Sequence, residues 1–77
     1  MKITDFIESF VEELEIESAQ VSVETNIKDL DEWDSMTAMI LIGFVSNMFK
    51  ITLNADDIKD ITTVQSLIER IGLDKFN

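Results

Sequence analysis

Asp34-Ser35-Met36 stands at the head of a long apolar stretch in a chain with no histidine, no cysteine and no tyrosine. A serine hydroxyl attacks well only when a neighbouring base takes its proton, and the usual bases are missing here. Ser35 is therefore better suited to receive a group than to attack one. Its ordinary structural role would be a helix N-cap, although Asp34 offers a second cap for the same helix. The acids leave carboxylate pairs available in principle, but they are scattered on faces expected to be solvated, so no autonomous catalysis is expected. Asp29-Leu30-Asp31-Glu32-Trp33 has only the opening of a calcium loop. Trp33 occupies a ligand position, Asp34 stands where glycine is required and no bidentate glutamate follows, so no metal site is expected. Gly43 and Gly72, the two glycines, make no phosphate-cradling loop.

The elements that must position Ser35 fit one small domain, 1–77, since 77 residues leave no room for a second core. Without cysteine the fold rests on packing alone, which compact helical bundles can manage, and the composition suits a reducing, cytoplasmic setting. The N-terminus lacks the apolar run of a signal peptide, and no stretch is long enough to cross a bilayer, so membrane insertion is not expected. Sixteen acids against six bases give a net charge of −10, which repels nucleic acid and anionic membranes and attracts basic protein surfaces. The same charge also serves solubility alone.

Ile3, Phe6, Ile7, Phe10, Val11 and Leu14 recur at helical spacing, which predicts a first helix over residues 4 to 16 with Thr4 as N-cap. Residues 18–33 mix polar residues with Val21, Val23, Ile27 and Leu30 too irregularly for a helix, and read as a long, partly packed loop. A second helix follows Asp34 and covers residues 35–49. Asn54 caps a short helical turn that runs through Asp60. Thr62 and Gln65 have capping-box spacing ahead of a last helix in which Val64, Leu67, Ile68 and Ile71 share a face and which Gly72 ends. The expected fold is all-α, a three- to four-helix bundle with a long loop between the first and second helices.

Asp34-Ser35-Met36 resembles the Asp-Ser-Leu signature of the acyl carrier and peptidyl carrier proteins. The family's Phe-Gly-Ile-x-Ile stretch is echoed by Phe49-Lys50-Ile51-Thr52-Leu53, and its Ile-Thr-Thr-Val motif by Ile61-Thr62-Thr63-Val64, in register with Ser35. The resemblance covers nearly the whole chain. It implies a bundle of acyl-carrier type and a 4′-phosphopantetheine arm, derived from coenzyme A, on Ser35, with Asp34 and Met36 beside it. It also implies a phosphopantetheinyl transferase, an acyl- or aminoacyl-loading ligase and a downstream transferase or synthase as partners. A phosphodiester at Ser35 suits a helix N-terminus, where free amides and the macrodipole favour negative charge. The arm brings the thiol that the sequence lacks.

One departure from the family concerns the second helix, on which fatty-acid carriers place several acids. The aligned positions here are Thr37, Ile40, Ser46, Asn47 and Met48, and residues 35–50 carry one charge, that of Lys50. Met36, Ile40, Phe44 and Met48 form an i, i+4 ridge, opposite a core face of Ala38, Leu41, Ile42, Val45 and Phe49. The ridge is expected to be an exposed docking surface, with core packing or self-association of an otherwise monomeric chain as alternatives. The resemblance also implies a shelter for short acyl chains, for which Met39, Ile58 and Ile61 are the candidates. Trp33 is expected to anchor the loop end on the bundle. The function that follows is a carrier of acyl or aminoacyl thioesters in a specialised pathway. The alternative is an acidic helical interaction module that is never modified.

Overall fold

The computed structural model describes residues 1–17 and 20–76. Ser18, where the long loop was expected to begin, lies outside the described residues. Among those described, the chain forms four α-helices and no strand: α1 (Ile3–Glu13), α2 (Ser35–Phe49), α3 (Ala55–Asp60) and α4 (Val64–Ile71). Short 3-10 turns lie at Ile27–Asp29 and Leu73–Lys75. The expected all-α bundle is observed.

The amphipathic pattern of α1 places Phe6 and Phe10 fully inside and leaves Asp5, Glu8, Glu12 and Glu13 in water. The helix begins one residue earlier than expected, with Lys2 and not Thr4 as N-cap, and Lys2 makes no side-chain cap. It also ends earlier, at Glu13. Glu15 turns left-handed at φ 54°, and the Ile16 amide donates back to the Val11 carbonyl at 3.0 Å. That reversal buries both Leu14 and Ile16, which a continued helix would have pointed in different directions.

The segment leading to Ser35 is tied down at several points. The Asn26 side chain accepts from the Lys28 amide at 3.0 Å and caps the Ile27–Asp29 turn, which drives Ile27 and Leu30 into the core. Three backbone bonds hold this stretch against the start of α4: Ile27 N–H to the Thr62 carbonyl, Val64 N–H to that of Thr25 and Gln65 N–H to that of Val23. At the loop's end the Glu17 amide donates to Glu32 Oε2 at 2.9 Å, and half-buried Trp33 packs on the core cluster. An irregular sequence thus yields an ordered approach to α2, because its backbone groups find partners across the bundle.

Asn54 and Asp57 cap α3 reciprocally, as the spacing suggested for Asn54. The capping box of α4 falls one residue later than expected, on Thr63 and Ser66 in place of Thr62 and Gln65. Ser66 Oγ accepts from both the Thr62 and Thr63 amides at 2.9 Å, while the Gln65 side chain instead donates to Glu69 Oε2 at 3.3 Å. Val64, Leu67, Ile68 and Ile71 are all buried as one face. After Gly72 the chain doubles back, so that Phe76 meets Phe6 edge-on at 5.3 Å and Phe49 at 5.4 Å. Phe44 stacks on Phe6 at 5.7 Å and completes an aromatic cluster at this end of the bundle.

Candidate functional site

Asp34, extended at φ −153°, is the N-cap of α2, and its Oδ1 accepts the Thr37 amide at 2.8 Å. The Thr37 hydroxyl, itself buried, reaches the Glu32 carbonyl at 2.7 Å and Asp34 Oδ1 at 2.9 Å. These bonds clamp the last residues of the loop to the first turn of the helix. The Thr37 amide and then its hydroxyl hold the Asp34 carboxyl below its ordinary pKa, so it is an anion at neutral pH. Ser35 is the first residue inside the helix, exposed, and its Oγ has no hydrogen-bond partner among the described residues. Capping therefore does not explain Ser35, because Asp34 does that work. What remains is a free hydroxyl at the positive end of a fifteen-residue helix.

The expected ridge does not hold together. Met36 is 71 % exposed, Ile40 40 % and Met48 37 %, but Phe44 is only 7 % exposed and belongs to the core. An i, i+4 row drifts by about 40° per step around an α-helix, so a row that starts outward at Met36 has turned inward by Phe44. Met48 is exposed again near the helix end, separated from Met36 and Ile40 by the buried Phe44. Met39, expected as an interior lining residue, is 72 % exposed on the outer side of α2, one turn after Ser35. Of its expected companions, Ile61 is 3 % exposed and Ile58 half-buried, so the three do not form one lining. The outward apolar surface that the structure assembles beside Ser35 consists of Met36, Met39 and Ile40.

The family model for the phosphopantetheine attachment site matches residues 5–71. The chain belongs to that family. No curated protein and no solved structure matched it. As a member it is a carrier that holds 4′-phosphopantetheine covalently, and not itself an enzyme. The donor set fits such an arm: a helix-leading hydroxyl without an internal partner, open to solvent, with the cap duty taken by its neighbour. The arm supplies a thiol when present. The chain's own residues leave the Ser35 hydroxyl exposed at the helix head, while the neighbouring Asp34 carboxylate is engaged by the Thr37 amide and hydroxyl.

Two residues that bound or brace α2 in this carrier went unnoticed in that role in the sequence. Thr37 follows Asp34 at N-cap spacing, Asp-x-x-Thr, which was the available signal for its clamp. Lys50, at φ 60°, closes α2 in the left-handed conformation that suits glycine, where the family's own motif has one. No described helix is long and apolar enough to cross a membrane.

Proposed function

We propose that this protein is a specialised carrier domain, spanning 1–77, whose phosphopantetheine arm is attached to Ser35 and holds acyl or aminoacyl groups as thioesters for cytoplasmic partner enzymes. The observation that carries the reading is that Ser35 is exposed and unpartnered at the head of α2 while Asp34 performs the capping. Asp34 keeps its charge and orders the approach of the modifying transferase. Met36 gives that enzyme an apolar contact next to the hydroxyl. Met36 and Ile40, with Met39, form the docking patch for the loading ligase and the acceptor transferase or synthase, and Met48 extends it towards the helix end. Ile58, half-buried, and Ile61, buried, are the residues we assign to contact with a short acyl chain.

Intact-mass measurement after coexpression with a broad-specificity phosphopantetheinyl transferase tests the reading. A mass gain of one phosphopantetheine is expected, and Ser35→Ala should lose it completely while keeping its helical circular-dichroism spectrum. An unshifted mass alongside an active transferase would instead favour an unmodified acidic interaction module.

A further inference from the structure

A groove between α1 and α2 is lined by Ser9 and Glu13 on one side and by Ile40, Gly43, Asn47 and Met48 on the other, with Phe44 as its floor. Folding does not explain two of its features. Gly43 is exposed in the middle of α2, where glycine is a poorer helix residue than alanine, and a Cβ built there would meet nothing within 4 Å. Bare backbone at an open position instead permits close approach by another chain. The second feature is charge. Glu13 on the groove wall is in no ion pair among the described residues, and α1 as a whole carries Asp5, Glu8, Glu12 and Glu13 and no base. The facing wall on α2 is uncharged.

We propose that this groove receives an amphipathic basic helix of a partner protein. Its apolar strip seats on Ile40 and Met48 over Phe44, its backbone passes across Gly43, and a lysine or arginine side chain meets Glu13 on the α1 wall. Charge selects this occupant. A second copy of the chain carries −10 and would bring its own acids against the same wall. A bound acyl chain would leave Glu13 without a counter-charge. Recognition by acids is thereby moved from α2, which has none, to α1. The partner's identity rests on the carrier reading, but binding in the groove does not, because the groove needs no arm.

The test is an NMR titration of the isotope-labelled, unmodified chain with a synthetic helix of leucine and lysine at amphipathic spacing. Amide shifts are expected to centre on Ser9, Glu13, Gly43, Asn47 and Met48. Gly43→Gln should weaken binding by about tenfold, and Glu13→Gln by about threefold, with reduced salt sensitivity. A peptide with glutamate for lysine should not bind. Shifts centred on α3 or α4, unchanged affinity in a folded Gly43→Gln, or a concentration-dependent dimer that closes the groove would each overturn the proposal. Loading of Ser35 is followed on the same preparations. A loadable chain with a silent groove defeats the groove alone, and a binding groove on a chain that cannot be loaded defeats the carrier reading alone.

Discussion

α2 and α4 supply much of the apolar surface of this bundle and use it differently. In α4 the apolar residues Val64, Leu67, Ile68 and Ile71 all face inward, while Glu69 and Arg70 face water and Arg70 reaches Asp57 at 3.5 Å and Asp60 at 3.0 Å. That distribution is what stability and solubility alone would select. α2 is apolar on both sides. Leu41, Phe44 and Val45 fill the core, and Met36, Met39 and Ile40 lie outside beside Ser35 with no charge among residues 35–49. An outward apolar patch adds nothing to the monomer's stability, so the two helices separate residues that hold the fold from exposed apolar residues that the fold does not use, which is what the proposed docking role requires.

Truncation is the strongest way to break that comparison. Leu67→Ala, at a fully buried position, should cost about 2–5 kcal/mol in urea unfolding. Met39→Ala should stay within about 0.5 kcal/mol. If Met39→Ala proved as costly as Leu67→Ala, the outer side of α2 would be structural and the division would fail.

The helix ends sharpen the contrast on a smaller scale. α4 stops at Gly72 with φ 121°, while α2 stops at Lys50 with φ 60°, a left-handed conformation that L residues with a Cβ adopt at a cost. Lys50→Gly should therefore raise stability by about 1 kcal/mol, read as a higher midpoint of thermal unfolding. A fall in the midpoint would mean that the lysine side chain contributes more than the backbone strain takes away.

The smallest expected effect is at the α2 cap. Because the folded pKa of Asp34 is depressed, its contribution to stability is present above the unfolded value, near pH 4, and is lost as pH falls through the folded one. Asp34→Asn keeps the capping oxygen and removes the titration, so its stability should fall less steeply than that of the wild type in this acid range. Parallel acid-unfolding curves would show that the carboxylate is not held as the hydrogen bonds to Thr37 imply.

Much of this was legible in the residues themselves. Helical periodicity located α1 and α4, side-chain chemistry marked Asp34 and Asn54 as caps, and Gly72 marked the end of α4. Phe44 and Met39 were misplaced for a common reason. In a helix apolar on every side, hydrophobicity carries no phase, so the sequence does not say which residues turn inward. The capping box of α4 shifted by one residue because Thr62, Thr63 and Val64 also pair with the loop, an arrangement that local spacing cannot express.

The sequence by itself determined that this is a small acidic helical protein without its own nucleophilic machinery, with a serine set before an apolar helix in a carrier-family motif. These are properties of residue type and short-range spacing. Only the tertiary structure decided that Ser35 is free because Asp34 and Thr37 carry the cap, that Phe44 belongs to the aromatic cluster with Phe6, and that Met39 lies outside. Each of those depends on how α2 is rotated against α1 and held by the loop, and that rotation is set by packing contacts between residues far apart in the chain.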